Sequence, residues 1–297
     1  MSLLTTSLVD MLKPSKEKKI LFYDSFVIEH TLISVSAIVS QVMLLPETYE
    51  VNDGGLDRDI DSLISDLPQS SLKLRRDMKA YYLGGNIDIG VLIQDNEERE
   101  FISNLFTSEA NKLKISNREL VLRSLNASTF LNYFFLFENS IKKIYIEEYQ
   151  TNPDEFLRSK DLISKLLRKK LKKDNTHSLF YEQLYKRTKT LISEKNLNSL
   201  WGVLNFIRNQ QAHSNGKFDT KAQDILESKI EEYCASYKDE ESKDNTLAIK
   251  MLLHVLEEIL EQVKENGYIT FNNSIENLIK NISIMVMESL YHCEPMK

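Results

Sequence analysis

The sequence has few of the residues that interrupt helices or cross-link chains. Its 297 residues include only 8 glycines, 5 prolines and 2 cysteines. Because glycine and proline disfavour helix interiors, their scarcity favours a mainly α-helical protein. Cys234 and Cys293 cannot make the disulfide framework of a small secreted domain, and they fit a reducing compartment. We therefore expect a mostly helical, cytoplasmic protein.

Long apolar runs are also missing. The longest such stretch, residues 32–45, contains serine and glutamine and is too short to cross a bilayer. The N-terminus lacks the charged start and apolar run of a secretory signal, so we expect no membrane partner. The net charge of −6 does not favour nucleic-acid binding by the whole surface. Binding of RNA or DNA would need a local basic patch.

The common motifs of metal-dependent and acyl-transfer enzymes are absent. The sequence contains no HExxH, CxxC or GxSxG pattern. His292 and Cys293 adjoin, but two residues are too few for a zinc site. Gly84, Gly85 and Gly90 are not followed by the GKS or GKT of a phosphate-binding loop, so a turn is the better interpretation. We expect neither a metal nor a cofactor.

His30 and His254 lie in segments with the apolar spacing of helices. We therefore expect both histidines to occupy core or boundary positions and not a functional site.

Apolar spacing and capping residues predict a series of helices. One helix is predicted over residues 20–45, and a second runs from the capping box Ser116-x-x-Glu119 through Tyr149. In residues 81–96, apolar and polar residues instead alternate and glycines recur, which predicts a hairpin or a pair of extended segments. Short connections between long helices favour an antiparallel bundle. Further helix starts are predicted at Asn152, Ser178, Asn196, Thr220, Asn245 and Asn273.

The segment 196–216 predicts an amphipathic helix that ends at Gly216. Arg208 falls roughly 20° from Leu197 on the helical wheel, close to the middle of the apolar stripe. An unpaired guanidinium there would cost several kcal/mol, about the penalty of an uncompensated buried ion, so it needs an anion or an open site. His213 lies in the last turn, where carbonyl groups favour an imidazolium. The stripe itself consists of Leu200, Trp201, Leu204 and Ile207.

A carboxylate stands on the apolar face of the helix over residues 125–149. Glu138 is expensive to bury unless it is paired. We therefore predict that Glu138 meets Arg208. The pair either holds the guanidinium for a substrate or is purely structural, and a third alternative is that Glu138 reaches solvent at the helix edge. Asn139, beside it, is a weaker candidate for the same polar site. The apolar neighbours on this wheel are Leu131, Phe134, Phe135, Ile141, Tyr145 and Tyr149.

Charge is unevenly distributed along the chain. Residues 158–189 contain eleven Lys and Arg against three Asp and Glu, whereas residues 224–265 contain twelve acids against five lysines. With Phe180, Tyr181 and Tyr185 nearby, the basic run could track an RNA backbone and stack exposed bases. The alternative is a solvated helix face that balances the acidic one. The candidate RNA-binding residues are Arg168, Lys169, Lys170, Lys172, Lys173, Lys186 and Arg187.

The residues from Arg208 to His213, RNQQAH, resemble the R-x(4–6)-H signature of the HEPN superfamily. Asn209, a polar residue directly after the arginine, is also usual there. The resemblance implies an all-α bundle and a metal-independent endoribonuclease, often a toxin or an antiphage effector of the abortive-infection type. It also implies a homodimer, in which two motifs meet to form a composite active site, and an antitoxin or other regulatory partner. In members regulated by nucleotidylation a tyrosine lies two residues after the histidine; here that residue is Asn215.

The resemblance divides the chain. We expect an HEPN-like helical bundle over residues 115–297, and the match itself covers about residues 115–265. The preceding residues 1–114 form an N-terminal extension of mixed or helical structure, with a possible sensing or dimerising role.

The implied reaction needs only groups that the motif supplies. RNA carries its own nucleophile, the 2′-hydroxyl, so a histidine can transfer protons while an arginine stabilises charge on the phosphoryl oxygens. Arg208 and His213, five residues apart, lie about 140° from each other on a regular helix. They converge only if the helix distorts or if two chains share one cleft. Two alternatives stay open: a non-catalytic HEPN-like module that binds RNA, nucleotide or protein, and a helical scaffold.

Overall fold

The structure, a computed structural model, describes the parts of the chain that carry most of the predicted helices. Over these residues the fold is mainly α-helical and has no strand, which confirms the predicted class. None of the described helices combines the length and apolar content that crossing a membrane requires. The described residues are 21–42, 108–115, 117–149, 161, 163–166, 176–188, 193–214, 216–236, 246–269 and 273–293.

The long helices begin and end close to the predicted positions. The predicted starts at Thr220 and Asn273 are met, while the helices predicted from Ser178 and Asn196 begin slightly earlier. The predicted start at Asn152 and the extended pair at 81–96 lie outside the described residues. The helices are α1 (Leu21–Val42), α2 (Asn117–Tyr149), α3 (Thr176–Thr188), α4 (Glu194–Ser214), α5 (Thr220–Ala235), α6 (Thr246–Asn266) and α7 (Asn273–Cys293).

The chain divides into two compact units. One unit comprises Met1–Ile33 and Ala127–Lys297, and the other comprises Ser34–Asn126. The first part of α1 therefore shares a unit with the C-terminal helices. A division into domains 1–114 and 115–297 stays a prediction.

Aromatic residues link the helices of the larger unit. Phe134 of α2 stacks on Trp201 of α4, with ring centroids 4.5 Å apart and an interplanar angle of 10°. Tyr23 of α1 packs on Tyr291 of α7 at 4.5 Å. All residues of α7 from 281 to 291 are buried. A helix buried on every side belongs to the interior of the unit.

Three consecutive helices run antiparallel. Asn196, near the start of α4, donates a hydrogen bond to the carbonyl of Ser236 just beyond α5 (3.0 Å). Gln223, in the first turn of α5, donates to the carbonyl of Val263 near the end of α6 (3.2 Å). Because each contact joins the start of one helix to the end of the next, α4, α5 and α6 form an up-and-down arrangement.

Candidate functional site

Helix α4 is anchored at its first turn. The Ser193 backbone N–H donates to Asn196 Oδ1 (2.8 Å), and the Asn196 backbone N–H donates to Ser193 Oγ (3.2 Å). This reciprocal pair satisfies N–H groups that the first turn of a helix leaves unpaired. Asn196 Nδ2 also donates to Ser236 Oγ (2.8 Å). The start of the helix is thereby tied to the end of α5.

The predicted apolar stripe of α4 is buried. Its four residues are at most 4 % exposed. Arg208, near the middle of this stripe on the helical wheel, keeps 15 % of its side chain exposed. Its aliphatic stem can cover apolar surface while the guanidinium finds polar partners. The buried residues of the stripe are Leu200, Trp201, Leu204 and Ile207.

The guanidinium of Arg208 has three polar partners. Nη2 donates to Glu138 Oε2 (3.3 Å) and to Asn205 Oδ1 (3.2 Å), and Nη1 donates to Asn209 Oδ1 (2.8 Å). The predicted ion pair of Glu138 with Arg208 is confirmed. Nε is buried and has no hydrogen-bond partner among the described residues. Since a guanidinium carries five N–H groups, one hydrogen of Nη1 and that of Nε have no partner in the part of the chain that the structure describes.

Glu138 is shared between two cations. Its Oε1 accepts a hydrogen bond from Lys142 Nζ at 2.8 Å, in addition to the contact with Arg208. The Glu138 side chain is 8 % exposed and that of Lys142 is 34 % exposed. One carboxylate therefore faces two positive groups, and the cluster keeps a surplus positive charge. Such a surplus beside solvent attracts an anion.

Two phenylalanines border the guanidinium. The Cζ atom of Arg208 lies 4.9 Å from the centroid of Phe134 and 5.7 Å from that of Phe135. Phe134 is fully buried, but Phe135 is 41 % exposed, although both lie on the predicted apolar face of α2. Both distances are within the range in which a cation is attracted to a ring face. Arg208 is thus held by rings as well as by hydrogen bonds.

The C-terminal end of α4 is tied to the end of α6. Gly216, at a left-handed φ of 73°, donates its N–H to the carbonyl of Gln210 (3.1 Å). Lys217 then forms a single antiparallel bridge with Tyr268. The Phe218 N–H donates to the carbonyl of Gly267 (2.8 Å). These contacts fix where the last turn of α4 lies.

His213 lies in that last turn and is exposed. The helix is continuous from Glu194 to Ser214, so the angular separation of about 140° between Arg208 and His213 applies. Both residues are reachable from solvent, but they belong to different faces of one helix. A site that uses both must be completed by a second chain or by a substrate that wraps the helix.

The other predicted site residues, Asn209 and Asn139, differ in whether they contact Arg208. Asn209 accepts a hydrogen bond from Arg208 and so belongs to the same cluster. Asn139 is exposed on α2. Sequence reasoning missed Lys142, Asn205 and Phe135. The first two stand four residues after Glu138 and three before Arg208, which is the spacing of side-chain neighbours on a helix and a signal that could have found them.

Six of the seven candidate RNA-binding side chains lie outside the described residues. Lys186 is exposed and paired with Glu182 (2.8 Å). Arg187 belongs to α3, but its side chain lies outside the described residues, as do five other candidates: Arg168, Lys169, Lys170, Lys172 and Lys173.

The aromatic residues near this run do not all face solvent. Phe180 is fully buried, so its predicted role in stacking on exposed bases is wrong. Tyr181 is partly buried, and burial, with the charge of Glu194, raises the pKa of its hydroxyl. Tyr185 is 39 % exposed and remains a candidate for stacking on RNA bases.

Two other histidines have opposite environments. His30 is buried as predicted, between Phe26 and Tyr133. His254 was expected in a core or boundary position, but its side chain is 71 % exposed and lies 3.4 Å from Glu258. The expectation for His254 is wrong because apolar spacing locates a stripe only to within a residue or so of its edge.

No protein-family model, curated protein or solved structure matches this chain.

Proposed function

We propose that this chain is a metal-independent endoribonuclease of the HEPN type, acting as a toxin or antiphage effector. The observation that supports this proposal is the cluster of polar side chains around Arg208. One guanidinium is fixed by Glu138, Asn205 and Asn209, keeps an unused N–H, and shares its only carboxylate among the described residues with Lys142. A rigid cation with surplus local charge suits a phosphoryl group whose negative charge grows during reaction.

The proposed reaction is an attack of the RNA 2′-hydroxyl on the adjacent phosphorus. Arg208 stabilises the phosphoryl oxygens, and the exposed His213 transfers a proton to or from a ribose oxygen. The products are a 2′,3′-cyclic phosphate and a 5′-hydroxyl, and every atom comes from the RNA itself. No cofactor takes part.

A homodimer with a composite site completes the proposal. Because Arg208 and His213 lie about 140° apart on α4, we infer that the arginine of one chain works with the histidine of the other. A regulatory partner or antitoxin would then act by preventing this pairing.

Cleavage of single-stranded RNA in the presence of EDTA tests the activity. We expect wild-type protein to cut, and His213→Ala to lose about 10²–10⁴-fold, the usual worth of positioned proton transfer. Arg208→Ala is expected to lose about 10²–10³-fold, as when one charge-stabilising donor is removed. It should still fold, because Lys142 continues to neutralise Glu138. His254→Ala is the matched control, since His254 is an exposed histidine on another helix.

Mixing the two inactive variants tests the composite site. In a mixed dimer of Arg208→Ala with His213→Ala, one of the two sites receives an intact arginine and an intact histidine. We expect mixing to restore a fraction of wild-type cleavage. Cutting by each variant alone at wild-type rate would contradict the assignment of both residues.

The same helix geometry favours a second candidate, a non-catalytic module that binds RNA. If the two faces of α4 never meet in one cleft, Arg208 holds phosphate and His213 has no proton to transfer. If the chain is such a binding module, RNA binding should depend on Arg208, and neither the wild type nor any variant should cut RNA.

A further inference from the structure

Phe135 is an exposed aromatic ring in a charged setting. It is 41 % exposed, whereas Phe134, the next residue, is fully buried. A single exposed phenylalanine is ordinary on a protein surface. Its position is less ordinary, because the Arg208 guanidinium carbon lies 5.7 Å from its ring centroid. The ring and the guanidinium therefore present one continuous surface.

Amide side chains flank this ring along α2. Asn132 and Asn139 stand three residues before and four residues after Phe135, so all three share one face of the helix. Both asparagines are exposed. An amide offers a donor pair and an acceptor, which suits the edge of a nucleobase. The ring supplies the flat apolar surface on which the face of such a base stacks.

Charge on this face is positive. Lys143, the next exposed residue of the same stripe, and Lys142 are cationic, and the acid Glu138 is buried beneath them with two cationic partners. A phosphate can therefore approach Phe135 without meeting an exposed carboxylate among the described side chains on this face of α2. The surface suited to a base and the surface suited to a phosphate therefore adjoin on this face of α2.

We propose that Phe135 is a base-stacking residue that holds an unpaired nucleobase of single-stranded RNA beside the Arg208 phosphate site. The proposal rests on the action on RNA proposed above and adds to it a substrate class and a residue outside the Arg–His motif. Single-stranded RNA is the preferred form because a base inside a duplex has no free face to offer.

Binding of an RNA that cannot be cut tests this role separately from cleavage. A fluorescent single-stranded RNA with 2′-fluoro riboses lacks the nucleophile, so its fluorescence anisotropy reports binding alone. We expect Phe135→Ala to weaken binding about tenfold, in the range found for loss of one base–aromatic stack. Phe135→Leu, which keeps apolar volume, should weaken it similarly, and Phe135→Trp should bind at least as well as wild type.

Two controls sharpen the experiment. Ile28→Ala removes another exposed apolar side chain, one that is 61 % exposed on α1, and should leave binding unchanged. Duplex RNA of the same sequence should lose much less affinity than the single strand on Phe135→Ala. Circular dichroism checks that each variant keeps its helices.

The outcomes separate this inference from the nuclease proposal. Unchanged binding by Phe135→Ala, or Phe135→Leu binding like wild type, overturns the stacking role even if wild-type protein cuts RNA; the second result would indicate a general apolar contact, as with a protein partner. Failure of wild-type protein to bind the RNA overturns it too. Aromatic-dependent binding without cleavage supports stacking and removes only the nuclease.

Discussion

Glu138 is the residue on which the Arg208 cluster depends. It accepts hydrogen bonds from Arg208 and Lys142, and all three side chains are less than half exposed. Removing this carboxylate leaves two cations without the counter-charge that they share among the described residues. The loss of one partner of a buried pair is costly mainly because the other charge stays behind.

Glu138→Ala should lower the free energy of unfolding by about 3 kcal/mol, near the low end for a broken buried pair because Lys142 can turn to solvent. The measurement is urea unfolding followed by circular dichroism. The matched control is Glu182→Ala. Glu182 also pairs with a lysine four residues later at 2.8 Å, but both side chains are 57 % exposed.

The control variant should change stability by less than about 1 kcal/mol, because exposed pairs contribute little. Equal effects of the two substitutions would show that burial of Glu138 does not set the strength of its pairings. In that case the guanidinium would not be held rigidly, and the proposed phosphate site would lose its main support.

At the scale of the element, α4 is held at both ends by residues that are distant in sequence. Its start is bonded to Ser236 and its end is followed by the bridge between Lys217 and Tyr268. The turn between α4 and α5 depends on Gly216 at φ 73°. A side chain at this left-handed position is strained.

Gly216→Ala should therefore lower stability by about 1 kcal/mol, since alanine disfavours positive φ. An added Cβ would also come within 2.5 Å of Gln211 Oε1, although that flexible amide can move. Gly202→Ala on the same helix should act in the opposite direction and stabilise by about 0.5–1 kcal/mol. A Cβ at Gly202 would meet no atom within 4 Å.

Thermal unfolding of both variants measures this difference in stability. A Gly216→Ala protein as stable as Gly202→Ala would mean that the left-handed turn does not close α4. Under the proposed mechanism, a loosened turn would displace His213 and reduce RNA cleavage while leaving Arg208 in place.

At the scale of the whole molecule, the larger unit buries a histidine between its first helix and its core. Burial lowers the pKa of His30 from 6.5 to about 4, and the positive charge of Lys280 acts in the same direction. A backbone hydrogen bond to Lys280 opposes this shift. The folded protein therefore keeps His30 neutral at pH values where the unfolded chain protonates it.

This difference predicts a pH dependence of stability. Between pH 6.5 and about 4 the unfolded chain binds more protons at His30, so the free energy of unfolding falls as the pH falls. The contribution of neutral His30 to the free energy of unfolding is fully present above pH 6.5 and is lost towards pH 4. It amounts to about 3 kcal/mol. His30→Gln should flatten the profile by this amount in urea unfolding between pH 4 and 7.

His254→Gln is the control for this measurement, because His254 is 71 % exposed and pairs with a partly exposed glutamate. Its profile should match that of the wild type. A His30→Gln profile identical to the wild type would show that another group, not this imidazole, sets the acid sensitivity.

Much of the fold and part of the site were predictable because their causes are local. The 3.6-residue period located the stripe of α4, and capping residues located the starts of α2 and α7. The start of α5 was located at Thr220, although its N-cap is the preceding residue, Asp219. The pairing of Glu138 with Arg208 followed from the cost of burying either charge alone.

Other features had no local signal. Nothing near Lys217 in the sequence indicates its bridge to Tyr268, because that contact depends on how α6 ends. The exposure of Phe135 and of His254 was also missed. Each lies on a helix with an apolar face, and the packed neighbours decide how far that face extends.

The amino-acid sequence by itself determined where the helices lie, which side of α4 is apolar, and that Arg208 needs an anion, since these depend on backbone propensity and on the charges carried by a few turns of helix. Only the tertiary structure decided that Glu138 pairs with two cations, that Phe135 faces solvent beside the guanidinium, and that residues 281–291 of α7 are buried on every side. Solvent exposure and charge balance are set by groups that the chain brings together from distant positions, so no local pattern contains them.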